Sequence, residues 1–447
     1  MPQKTTLSGH IIDEWTFRNA DTQYLTHGLH PYPARMIPQL ADKLVRKHSE
    51  EKDWVLDPFC GSGTVLAECR LKNRNSIGNE INPFAVLLSK VKTTFLDRVE
   101  LKQISKRVLD EAQVEIMFYR SKRSKSRLVS IEKWIREDAR ANVYMNSIEV
   151  PIFPNIDLWF KEDVINELAI LRNLVLNLDC EEKYVAFLRI CLSFTAMKSS
   201  NADFERHQSH PSRYKPEKLK THAPDVLSIF RKKVNDSTKR IIDFSEKISA
   251  NQVKCFVLLG DTRELDLKGI APSQGVDLIV TSPPYGEEQN TIGYHRWSKI
   301  MAYWTGFSQD EIRKSEKSTL GIKPNLSASI PSKTANFFIN LVREKSKRKR
   351  GEKRAASLAG FFYDYYESMV QMAKWLKTGG IAAIVVGNRL VAGHRIAMDK
   401  VTTELARQGD LRHLKTFYRE IPNTVMPKRV PEGETIAKES IIVLEKM

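Results

Sequence analysis

The sequence is informative first through what it lacks. No uninterrupted apolar run is long enough to span a bilayer, which excludes a membrane-spanning helix. The first residues are polar and contain no apolar stretch of signal-peptide type, so a cytoplasmic protein with no membrane partner is expected. The five cysteines, Cys60, Cys69, Cys180, Cys191 and Cys255, form no Cys-x-x-Cys pair and no dense framework, so reduced thiols are expected. No cysteine follows a proline. The Gly-x-x-x-x-Gly-Lys-[Ser/Thr] run of a P-loop is absent, as is Gly-x-Gly-x-x-Gly, which counts against a nucleotidase and a dinucleotide enzyme. There is no internal repeat, and no cluster of His and Cys with metal-ligand spacing.

What is present is a chain of 447 residues, enough for one large domain with insertions or for two domains. Hydrophobic residues make up 41%, and Lys plus Arg is 71 against 54 acids, for a formal net charge of +17. Such a surplus favours a polyanionic partner, because each phosphate neutralised releases condensed counterions. Basic runs also serve simply as solvated faces, so charge alone supports nucleic acid without proving it.

Short apolar runs, each ending in a small or acidic residue, read as buried parallel strands: 54–57, 76–80, 256–261, 276–280 and 381–388. Helical signals separate or precede them, the pattern of a doubly wound α/β sheet. Leu414 to Tyr418 and Ser440 to Leu444 are placed to pair as an antiparallel hairpin at the sheet edge. Residues 96–250 carry helical periodicity instead. Val164, Leu168, Leu171 and Val175 share one face, and Tyr184, Phe187, Leu188 and Cys191 another, which predicts an all-helical insertion packed against the sheet. Within 286–360, the run Arg343 to Arg350 is too charged to bury and reads as a mobile surface loop, with ordering by DNA as its functional alternative. The expected organisation is a cofactor-binding part (1–95), a helical insertion suited to target recognition (96–250) and a catalytic part (251–447) with a basic insertion at about 305–358.

Asp57-Pro58-Phe59-Cys60-Gly61-Ser62-Gly63-Thr64 follows a strand and opens a helix. Glycines at such a junction let backbone approach a ligand, and a helix N-terminus supplies free amides. Roughly 20 residues on, Glu80 ends the next strand, where a carboxylate can accept both ribose hydroxyls. Many nucleotide binders would satisfy these features. Asp-Pro-Phe-x-Gly-Ser-Gly-Thr also resembles the S-adenosylmethionine loop of the DNA amino-methyltransferase family. His27-Gly28-Leu29-His30-Pro31-Tyr32-Pro33-Ala34-Arg35-Met36-Ile37-Pro38 resembles that family's N-terminal cofactor segment, which implies His30 and Pro31 beside the methionine moiety. Asp261 matches the family's acid for the adenine amino group; alone it would read as a strand-end helix cap. The resemblance, over roughly 20–95 and 255–447, implies a Rossmann-like class I methyltransferase with a mainly parallel seven-stranded sheet. The cofactor would be held by His30, Pro31, Asp57, Phe59, Gly61, Ser62, Gly63, Thr64, Glu80 and Asp261.

Ser282-Pro283-Pro284-Tyr285 follows the strand 276–280. Two prolines remove two amide donors, so carbonyls can face a cleft without competing N–H groups. An exocyclic base nitrogen is a poor nucleophile because its lone pair is delocalised into the ring. Hydrogen bonds from its N–H groups to the Ser282 side chain and the Pro283 carbonyl strengthen as positive charge develops, which stabilises the transition state. Tyr285 offers a face on which an extruded base could stack. In-line methyl transfer needs no metal. An ordinary Pro-Pro turn is the bland alternative. The family commonly has Asp or Asn first in this segment for adenine N6 and Ser for cytosine N4, so Ser282 leans towards cytosine; the proton would leave to water. Cytosine C5 chemistry is argued against by the missing Pro-Cys nucleophile.

Tyr294, His295, Arg296 and Trp297 are candidates for base or phosphate contacts, with a helix core as the equal alternative for Trp297 and Tyr303. Lys377-Thr378-Gly379-Gly380 reads as a structural turn. Arg419-x-Ile421-Pro422-Asn423, Thr435 and Glu439 to Leu444 resemble the family's C-terminal hairpin region. His207, His210, Ser212 and Arg213 suggest a DNA-facing loop. Cofactor loop before catalytic segment excludes the reverse arrangement. The expected function is cytosine-N4 methylation of double-stranded DNA by base flipping, in a restriction-modification or defence system with a cognate endonuclease. Adenine-N6 methylation, an RNA guanine amino-methyltransferase and a catalytically silent DNA-binding subunit are the alternatives.

Overall fold

The computed structural model describes residues 13–125, 148–204, 212–248, 253–287, 293–345, 348–391, 393–421 and 438–447. The main sheet contains β1 (Trp54–Asp57), β2 (Asn75–Glu80), β3 (Cys255–Leu259), β4 (Val276–Thr281), β5 (Leu376–Gly387), β6 (Leu411–Glu420) and β7 (Lys438–Lys446). Their spatial order is β6-β7-β5-β4-β1-β2-β3. The pairs β1/β2, β1/β4, β2/β3 and β4/β5 are parallel, and β7 runs antiparallel to both β5 and β6. This is the Rossmann-like α/β sheet expected from the strand pattern. The chain leaves β1 for β2 on one side and returns to β4 on the other. That reversal opens a crevice at the strands' carboxyl ends, the usual ligand position in open α/β sheets.

Alternating strand residues feed two apolar layers, as a sheet with both faces covered requires. Leu56, Ile77, Ile279 and Ile384 join one cluster, while Val55, Leu278, Val280 and Val385 join the other. Helices α1 (Pro38–His48) and α2 (Thr64–Leu71) contribute Leu44 and Val65 to the second layer. Beyond β2 lies α3 (Pro83–Thr93), whose N-terminus is capped by the Asn82 side chain.

The stretch 96–250 is mainly helical among its described residues, with α4 (Arg98–Lys125), α5 (Glu162–Leu176), α6 (Glu182–Ser199) and α7 (Val226–Ser245), but not all-helical as expected: Ala202–Asp203 and Ser212–Arg213 are short strands. All eight apolar residues singled out on α5 and α6 are buried. Its packing differs from the expectation. The four helices share one core with α3 and with α8 (Tyr294–Trp304), so the insertion rests mainly on the helices flanking the sheet. Strands already covered on both faces leave no apolar surface for a further layer.

The charged run Arg343 to Arg350 is also a correction. It falls on the end of α10 (Lys333–Lys345) and the start of α11 (Arg348–Trp375), after α9 (Gln309–Lys317); residues 346–347 lie outside the described residues. Ala335, Ile339 and Val342, then Ala355, Leu358, Ala359 and Phe362, form buried stripes at helical spacing. A surface helix tolerates dense charge on its outer face when such a stripe anchors it. α12 (Met398–Ala406) packs on this layer through Met398, Val401 and Leu405.

Candidate active site

β1 ends in Asp57, and the loop to α2 passes through Gly61 at φ +50° and Gly63 at φ +75°. A Cβ on Gly63 would lie 2.2 Å from Ser89 Oγ on α3, so glycine is required for α2 and α3 to approach. No side chain caps α2, and Thr64 Oγ is buried without a partner among the described residues. The N-terminus of α2 thus offers donors to a ligand. Glu80 is held by two backbone amides, Gly61 N to Oε2 and Asn82 N to Oε1, both at 2.9 Å. Burial raises the Glu80 carboxyl above its ordinary range and pushes Asp57 up to about 7. Asp57 Oδ1 accepts from Thr281 Oγ at 2.7 Å and from Phe59 N at 3.2 Å. Thr281 ends β4 immediately before Ser282, so this bond ties the two motifs together across neighbouring strands.

A cleft of about 990 Å³, counting its open mouth, lies over these strand ends. Asp57, Phe59, Gly61, Ser62, Thr64, Glu80 and Asp261 line it, and Ser282 and Pro284 stand in the same wall. Its wall is mostly apolar with a few convergent polar groups, the usual make-up of a small-ligand site. The uncapped amides, the unpartnered Thr64 hydroxyl and the positioned Glu80 carboxylate suit the polar parts of S-adenosylmethionine.

Several expected residues stand elsewhere. Gly63 backs onto Ser89 and does not face the cleft. His30 and Pro31 are not in its lining either. The His30 ring lies edge-on to Phe84, Phe194 and Trp297, and burial pushes its pKa down to about 3. It is a neutral core aromatic; the residues that follow it, Tyr32 to Met36, form the cleft wall. Asp261 caps a short 3₁₀ turn through Arg263 N at 2.9 Å and is bridged by the Arg263 guanidinium, which also reaches Asp364 at 2.7 Å. Cys60 is buried, its thiol pushed well up by burial, as expected of a packed rather than nucleophilic cysteine.

Pro283 and Tyr285 are outside the cleft lining. The Tyr285 hydroxyl contacts Ser282 Oγ at 3.1 Å and donates to Glu439 Oε1 at 2.9 Å. The aromatic wall is supplied by Tyr32 and Tyr294, whose rings stack at 6.0 Å with an interplanar angle of 22°. His295 also lines the cleft and bonds Ser315, whereas Trp297 and Tyr303 are buried in the helical core. Beyond Tyr285, Gly286 is pressed against the Arg389 guanidinium, which forms a buried ion pair with Glu287. No sequence motif pointed to Arg389, Glu287 or the Ser318-Thr319-Leu320 wall, because their partners are distant in the chain. Ser212–Arg213 pairs with Ala202–Asp203 as a two-stranded ribbon; His207, His210, Pro422, Asn423 and Thr435 lie outside the described residues. Among the described residues no group of three or more His, Cys, Asp or Glu could hold a metal ion, and no helix is long and apolar enough to cross a membrane.

The N6/N4 methyltransferase family model, described as DNA methylase, matches residues 4–91. The type II methyltransferase M.MvaI of Kocuria varians is 28% identical over 449 residues, covering 96% of this chain and 92% of that protein. The type II methyltransferase M.MjaII of Methanocaldococcus jannaschii is 26% identical over 60% of each chain. Among solved structures, the rRNA methyltransferase aviRa of Streptomyces viridochromogenes matches over 93% of this chain and 88% of its own, at 10% identity and a TM-score of 0.30. That structural likeness is too loose to carry argument; the sequence relatives are more informative.

Proposed function

We propose that this chain, which belongs to the DNA amino-methyltransferase family, methylates the N4 amino group of cytosine at a specific site in duplex DNA. Its cofactor is S-adenosylmethionine, which when bound supplies a sulfonium-activated methyl group. Asp57, Phe59, Gly61, Ser62, Thr64, Glu80 and Asp261 would hold it, with Gly63 serving only to let α2 close on α3. The Ser282 hydroxyl, in the cleft wall, accepts a hydrogen bond from the exocyclic amine, localising its lone pair as it attacks; the Pro283 carbonyl, outside that wall, would need to turn inward to accept the second. Because such a bond strengthens with the charge that develops on nitrogen, it lowers the barrier more than it tightens ground-state binding. Tyr32 and Tyr294 offer faces for a base turned out of the duplex.

The observation that carries this reading is Ser282 in the cleft wall beside the Asp57–Thr64 loop, joined to it through Thr281 and Asp57. Duplex DNA incubated with the protein and S-adenosylmethionine, then digested to nucleosides, should contain N4-methylcytosine by mass spectrometry. N6-methyladenine would overturn the choice of base, and methylation of tRNA but not duplex DNA the choice of substrate. The helical insertion at 96–250 and the basic stretch at 305–358 are the two places this reading gives to DNA-site recognition. A cognate endonuclease is the implied partner, and DNA modified by this chain should resist it.

A further inference from the structure

A serine hydroxyl differs from a carboxylate or carboxamide oxygen in one respect. It can turn either its proton or its lone pairs towards a substrate. Facing an amine, which presents N–H donors, only the lone pairs are productive.

The surroundings of Ser282 decide which it presents. On β7, Glu439 accepts on both carboxylate oxygens: Oε2 from Arg419 Nη1 at 2.6 Å, and Oε1 from the Tyr285 hydroxyl at 2.9 Å. Arg419, on β6, is buried and donates its Nε to the Trp15 carbonyl at 3.1 Å, which holds the guanidinium in place. Tyr285 has one hydroxyl proton, and Glu439 takes it. The 3.1 Å contact between Tyr285 and Ser282 then requires Ser282 to donate. Its lone pairs are left for the cleft, which Ser282 lines.

We infer that Glu439 is a positioning residue that acts through Tyr285: it sets the direction of this hydrogen-bond chain so that Ser282 presents an acceptor to the target amine. The inference rests on the reading of Ser282 as the residue that receives the amine, and it assigns the Tyr285 hydroxyl a role separate from its ring.

Two substitutions of nearly unchanged shape test it. Tyr285→Phe keeps the ring and removes the link. In Glu439→Gln, Arg419 can only donate and claims the amide oxygen, so the amide NH₂ faces Tyr285 and the chain reverses, turning the Ser282 proton towards the cleft. The assay is methylation of duplex genomic DNA from an unmodified host by the full chain, with calorimetry for S-adenosylmethionine and melting curves to establish folding. Each variant should lose about 100-fold in kcat, the effect of one misdirected transition-state hydrogen bond, with KM for DNA and cofactor affinity little changed. The double variant should be no slower than Tyr285→Phe, since both changes break the same chain. Wild-type kcat in Tyr285→Phe, losses that multiply in the double variant, or a loss confined to KM would each overturn the inference. If Glu439→Gln fails to fold, Tyr285→Phe decides alone. Ser282→Ala separates the two levels. Should it methylate normally, the catalytic reading itself fails; should it be inactive while Tyr285→Phe is fully active, that reading stands and only the relay is wrong.

Discussion

Asp57 and Ser282 stand at the ends of neighbouring strands and do different work. Ser282→Ala removes one acceptor for the target amine, and kcat should fall about 100-fold in a single-turnover assay. Cofactor affinity measured by calorimetry should be little altered, because the proposed mechanism assigns Ser282 to the target base. Asp57 is set apart by burial, which raises its carboxyl from an ordinary 3.8 to about 7. The folded protein therefore binds this proton more tightly than the unfolded chain. The associated stabilisation is complete below about pH 3.8 and is lost as pH rises through about 7. Glu68, buried against Tyr24 and His27 and also raised to about 7, contributes in the same sense. Asp57→Asn keeps an oxygen for Thr281 and cannot ionise. Its stability relative to the parent, followed by urea unfolding, should improve steadily between pH 4 and 7; a flat difference would show that Asp57 does not titrate in that window.

At the scale of elements, the site depends on close approaches that admit no extra atoms. Gly63→Ala would put a methyl into Ser89 and force a left-handed backbone on alanine. The expected cost is about 1–3 kcal/mol, together with weakened cofactor binding as α2 moves from α3. The segment after Tyr285 depends on the buried Glu287–Arg389 pair. Arg389→Leu removes the guanidinium from a buried carboxylate and should destabilise the fold by up to about 3–5 kcal/mol in denaturant titration. The segment Arg343 to Arg350 shows how composition misleads at this scale. Its charges suggested a loop, but the anchoring residues Ala335, Ile339 and Val342 lie before the run and Leu358 and Phe362 after it. A window centred on the charges does not include them.

For the whole molecule, the surplus of 17 positive charges suits the duplex DNA substrate proposed above. If about six phosphates are neutralised, affinity for duplex DNA in a fluorescence titration should fall roughly 10³-fold between 50 and 200 mM salt. A salt-insensitive affinity would mean that the basic residues do not contact the duplex.

The sequence by itself determined the strands and picked out the two segments that meet at the cleft, Asp57 to Thr64 and Ser282 to Tyr285, since all three are local. Apolar runs of strand length, glycines at a strand–helix junction and a Pro-Pro pair act on their own backbone, and neighbours within a few residues suffice to read them. It also determined the long helices of 96–250, because periodicity is a property of consecutive residues, but not the short ribbon of Ala202–Asp203 and Ser212–Arg213. The tertiary structure decided which of those residues line the cleft. His30 turned inward because Phe84, Phe194 and Trp297, all remote in sequence, enclose it. Asp261 was tied through Arg263 to the remote Asp364, Gly286 met Arg389, and Ser282 was joined through Tyr285 to Glu439, 154 residues further along the chain than the tyrosine. A side chain's hydrogen-bonding direction depends on partners brought near by the sheet order, and no local pattern encodes them.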